Sequence, residues 1–89
     1  MKTTWYFENR VLKKRPYLKR EWCERVRQNP ESTVVEEETG RIRHWAFVEE
    51  LEELEMPGYL RVVTLEDGET VHNAMPDRNY TRRRRRREG

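Results

Sequence analysis

At Asn29–Pro30 the apolar period of this chain changes from about four residues to two. That switch restricts the possible folds more than any other feature. Upstream, Leu18, Trp22 and Val26 recur at i, i+4 and i+8 with Cys23 on the same stripe, and Pro30 ends the helix they predict. A shorter helix is predicted before it. Thr3 or Thr4 can cap that helix, Phe7 and Val11 stand four apart beside Leu12, and Arg15–Pro16 breaks the pattern. A strand is the alternative for residues 5–8.

Downstream, residues 33–37 form a β-branched run, Glu38-Thr39-Gly40 supplies a turn, and residues 41–48 alternate. The alternation sets Ile42, His44, Ala46 and Val48 on one face, with Arg41, Arg43, Trp45 and Phe47 on the other. Residues 59–65 and 69–74 read as two further strands joined through Asp67-Gly68, a strong hairpin signal. The acidic excursion between these hairpins, closed by Pro57-Gly58, is either a helical turn or a loop. The expected fold is α+β, with two N-terminal helices packed on one face of a roughly four-stranded antiparallel sheet.

With 89 residues, 34% hydrophobic and 40% charged, the chain holds one small domain, read as residues 1–80 with a tail at 81–89. No run of 18 apolar residues and no apolar signal core occurs, so the expectation is a soluble, cytoplasmic protein. The single cysteine, Cys23, excludes an internal disulfide and a cysteine zinc cluster, and its place on the helix stripe reads as a small buried hydrophobe. Charge is sharply partitioned. Residues 1–30 carry nine bases against three acids, residues 31–69 carry three against twelve, and the net charge of +2 is reached only through the final arginines.

Arg82, Arg83, Arg84, Arg85, Arg86 and Arg87 form an unbroken run whose repulsion and lack of apolar surface predict a disordered tail. Such a run, together with Lys13, Lys14 and Arg15, suits salt-sensitive contact with nucleic-acid phosphates. A solvated or partner-ordered terminus is the competing reading.

The segments RPYLKREWCERVRQNPE, GRIRHW and YLRVVTLEDGETVHNAMPDR resemble a group of small uncharacterised bacterial proteins, common in cyanobacteria and related to the BrnT toxins. Those toxins belong to the RelE/ParE-like superfamily. The resemblance spans residues 5–80, and the acidic insert at 49–57 and the arginine tail depart from it. It implies a RelE/BrnT-like toxin of a type II toxin-antitoxin system, an endoribonuclease acting on RNA without a metal or other cofactor. A cognate antitoxin would be its partner.

RNA cleavage of that kind needs a base for the 2′-hydroxyl, a cation for the phosphorane and an acid for the leaving 5′-oxygen. Arg61, Arg43 and Arg41 lie on strands that can aim guanidinium groups at a phosphate, His44 and His72 titrate near neutrality, and Arg78 adds a further cation with Asp77 to orient it. Each has a competing structural role. Arg41 and Arg43 have acidic strand neighbours, His44 shares a face with Ile42 and Ala46, and His72 sits near a strand end. Arg61 interrupts an otherwise apolar strand, so it needs a specific partner or a ligand. The two histidines have no carboxylate set at metal-ligand spacing, and no glycine-rich phosphate loop is present. Three function classes follow: a toxin-like ribonuclease, a non-catalytic module binding nucleic acid or protein, and a homodimer held by the opposed charge blocks.

Overall fold

A computed structural model describes residues 1–88 and shows an α+β fold on a four-stranded antiparallel sheet. Helix α1 begins as a π turn at Phe7–Val11, where the Leu12 N–H donates to the Phe7 carbonyl, and finishes at Leu12–Lys14. The Thr4 hydroxyl accepts the Phe7 N–H at 3.1 Å, and residues 5–8 are helical. Helix α2 spans Arg20–Gln28. Strands β1 (Ser32–Val35) and β2 (Ile42–Phe47) form the first hairpin, α3 (Glu49–Glu53) follows, and β3 (Tyr59–Thr64) pairs with β4 (Val71–Pro76). A last helix, α4, occupies Arg78–Glu88.

The strand order is β1-β2-β3-β4, a meander in which each strand pairs with the next in sequence. Gly40 turns the first hairpin at φ 74°, a conformation a side chain would strain, and a Cβ there would also strike the Glu66 carboxylate. In the second hairpin the Asp67 carboxylate accepts the N–H groups of Glu69 and Thr70, both at 2.9 Å. That capture holds residues 69 and 70 in the turn, so the strand begins at Val71, two residues later than its alternation suggests. Residues 2–4 lie along the outer edge of β4, with Val71 donating to the Lys2 carbonyl at 2.8 Å and Thr4 donating back at 3.0 Å.

One face of the sheet contributes Ala46, Leu60, Val62 and Ala74 to a single buried cluster with Phe7, Val11, Trp22, Cys23 and Val26. Burying these side chains is the main term stabilising so small a chain. Within that cluster burial pushes the Cys23 thiol up to about 12, the behaviour of an inert core residue. The acidic excursion adds Leu51 to the core from α3, and its chain reverses with Glu55 in the left-handed region at φ 61°.

The expectation of disorder from residue 81 is corrected for residues 81–88. The Asp77 carboxylate caps α4 by accepting the Tyr80 N–H at 2.9 Å, and the buried Thr81 hydroxyl accepts the Tyr59 N–H at 3.0 Å. Arginine is a good helix former, and Glu31 and Glu52 neutralise Arg84 and Arg85 across the domain. Composition alone overstates the repulsion because those acids are distant in sequence. Gly89 lies outside the described residues.

Candidate nucleic-acid interface

The second face of the sheet is divided. At one end α4 covers it: Tyr80 stacks on Trp45 and tilts against Tyr59, and the Tyr80 hydroxyl lies 2.6 Å from Ser32 Oγ. The other end is open. There the register aligns Arg43, Val63 and Asn73 across three strands, with Arg61 one pair nearer the covered end. Together with Tyr6, Glu36, Arg41 and His72 they line a cleft of about 320 Å³. Arg61 and His72, distant in sequence from Arg41 and Arg43, therefore meet them at one surface.

Their partners distinguish them. Arg43 Nε donates to Glu36 at 2.8 Å, and the guanidinium holds that carboxyl below its usual range. Arg61 is more weakly engaged. Its Nη2 lies against the Met75 sulfur, its Nη1 is 3.9 Å from Asp77, and its buried Nε has no partner among the described residues. A guanidinium offers five N–H donors, so most of the capacity of Arg61 remains for a ligand.

His72 stacks on Tyr6 with centroids 5.0 Å apart, and its Nδ1 lies 3.0 Å from the Thr4 hydroxyl. Burial, aided by the nearby Arg41 charge, lowers its pKa, so the ring is neutral at neutral pH. Because a hydroxyl both donates and accepts, Thr4 satisfies either tautomer. In one of them Nε2 carries a free lone pair, and in the other an N–H.

His44 is not in this cleft. It faces the core, where Nε2 lies 2.9 Å from Thr64 Oγ1, Nδ1 has no partner among the described residues, and burial lowers its pKa. Its alternation with Ile42 and Ala46 already placed it there, against a catalytic role. The pairing expected between Asp77 and Arg78 is also replaced. Asp77 accepts the Trp45 indole N–H at 3.0 Å and the Tyr80 N–H, and faces Arg61. Burial raises the Asp77 pKa, but those donors and Arg61 outweigh it and hold the carboxyl below its usual range.

Arg78 is exposed and lines a second concavity with Arg15, Tyr17, Arg61, Met75 and Asn79, so Arg61 borders both. Lys13 and Lys14 are exposed at the end of α1 and line neither. Of the arginine run, Arg82, Arg85 and Arg86 line a third concavity, while Arg83 and Arg84 lie over the rings of Tyr80 and Tyr59. Tyr6, Glu36 and Asn73 escaped the sequence reading because long-range packing alone brings them beside the strand arginines.

Among the described residues no group of three His, Cys, Asp or Glu could hold a metal ion, and no helix is long and apolar enough to cross a membrane. Comparison with protein-family models, curated proteins and solved structures finds no match for this chain.

Proposed function

We propose that this chain binds RNA through its open sheet face, with a backbone phosphate seated among Arg41, Arg43, Arg61 and His72. The observation that supports this reading is Arg61, a guanidinium on a central strand that lines the cleft with only a methionine sulfur and a carboxylate 3.9 Å away as Nη partners. An anion in the cleft would accept from the Arg61 Nη donors, which the Met75 sulfur and the distant Asp77 carboxylate leave weakly engaged. Arg41 and Arg43 supply further positive charge, and His72 offers a neutral imidazole that can present an N–H to a phosphate oxygen.

The resemblance to RelE/BrnT-like toxins extends the proposal to catalysis, with two N-terminal helices on one face of the sheet and RNA on the other. His72 is the base such a reaction requires. In the tautomer with Nδ1–H donated to Thr4, Nε2 removes the 2′-hydroxyl proton. The 2′-oxygen then bonds to phosphorus as the P–O5′ bond breaks, the leaving 5′-oxygen takes a proton from solvent water, and the arginines stabilise the charge on the phosphorane. A cognate antitoxin would act by covering this face.

Expression in bacteria of the intact chain and of its Arg61→Ala and His72→Ala variants tests both levels. Binding to single-stranded RNA that weakens with salt and is lost in Arg61→Ala supports the phosphate cleft, whereas salt-insensitive affinity overturns it. Growth arrest with RNA cleavage that depends on His72 supports the ribonuclease. Binding without cleavage assigns the chain to the non-catalytic class.

A further inference from the structure

The arginine run is organised by α4 rather than loose, and one side of that helix packs on the sheet. Arg78, Arg82 and Arg86 stand at i, i+4 and i+8, a ridge whose successive members are about 6 Å apart along the helix. With Arg85 they form one wall of a concavity closed by Glu52, Glu55, Met56 and Pro57. Arg85 is neutralised by Glu52, while Arg78, Arg82 and Arg86 have no ion pair among the described residues. This concavity continues into the next, which shares Met56, Pro57 and Arg78 with it and adds Tyr17, Met75 and Arg15. Arg61 then joins that second concavity to the phosphate cleft.

We infer that the ridge of α4 is a second nucleic-acid site, a track that holds the backbone of single-stranded RNA leaving the sheet cleft. Evenly stepped, unpaired cations suit a polymer with regularly repeated negative charge. The intervening apolar surface of Tyr17, Met56, Pro57 and Met75 suits the faces of unstacked bases, which a duplex keeps hidden. The track rests on the reading of the cleft as a phosphate site, because it is defined as that site's continuation. The opposite side of α4 is committed elsewhere: Tyr80 stacks on Trp45 of the sheet and Arg84 pairs with Glu31.

Fluorescence anisotropy of the full chain with labelled oligouridylates of about three and about twelve nucleotides separates the two sites. The longer strand should bind about tenfold more tightly than the shorter. In Arg82→Ala/Arg86→Ala that increment should vanish, trinucleotide affinity should persist, and the salt slope should fall by about 1.4, since each single-strand phosphate contact contributes about 0.7. Alanine favours helix, so circular dichroism should show α4 intact. Arg83→Ala/Arg87→Ala removes the same charge from other sides of α4 and should cost less of the increment.

A retained increment in Arg82→Ala/Arg86→Ala, equal losses in the two double variants, or a duplex of equal length binding as tightly as the single strand would each overturn the track. Failure of the cleft reading is distinct, appearing as trinucleotide affinity indifferent to Arg61→Ala.

Discussion

The indole of Trp45 and the ring of Tyr80 lie nearly parallel, 7° apart with centroids separated by 5.1 Å, and this stack anchors an arginine-rich helix to the sheet. Trp45 is only 7% exposed although it faces away from the main core cluster. Its indole N–H reaches Asp77, the residue that caps α4, so one β2 side chain fixes the helix by stacking and by hydrogen bonding.

Tyr80→Ala should therefore release α4. An aromatic pair contributes about 0.5–1.5 kcal/mol beyond its burial, and the Ser32 hydrogen bond adds about 1 kcal/mol, so the loss from these two should be about 1.5–2.5 kcal/mol. Urea denaturation measures it, with a loss of helical circular dichroism in the native baseline. Tyr80→Phe keeps the stack and should cost only about 1 kcal/mol.

Arg61 separates binding from stability. Arg61→Met keeps an unbranched chain and removes a buried N–H that has no partner among the described residues, an omission that costs about 1–3 kcal/mol in proteins generally. Thermal melting should show stability unchanged or higher, while RNA affinity falls. A large destabilisation would instead identify Arg61 as a structural residue.

His44 makes stability depend on pH. Its folded pKa lies below the ordinary histidine value, so the unfolded chain takes up the proton first as pH falls. The contribution is intact above the unfolded pKa of about 6.5 and is lost progressively as pH falls from there toward the folded value. Denaturation between neutral and mildly acidic pH should show this loss. Replacing His44 with an aliphatic residue should remove that part of the dependence.

Glu55 carries avoidable backbone strain. At φ 61° it closes α3, donating its N–H to the Glu52 carbonyl at 2.9 Å while Met56 donates to Leu51 at 3.0 Å. Glu55→Gly should raise stability by about 0.5–1 kcal/mol, measured as a higher denaturation midpoint.

The elements were legible wherever a local pattern states its own partner. Leu18, Trp22 and Val26 repeat at helical spacing and end at a proline, so α2 follows directly. The β-branched runs and the Asp67-Gly68 turn specify hairpins because pairing of adjacent strands needs only short-range closure. Alternation along β2 likewise separated the face of His44 and Ala46 from that of Arg43 and Trp45. By itself the sequence determined an α+β chain with an antiparallel sheet, and it marked Arg61 as a charge in need of a specific partner or a ligand. Tertiary structure alone decided that Arg41, Arg43, Arg61 and His72 share a cleft, and that six consecutive arginines form a docked helix. Those outcomes depend on contacts between residues far apart in the chain, such as Tyr80 with Trp45 and Arg84 with Glu31, and a local window of residue types records neither the distance nor the neutralising charge.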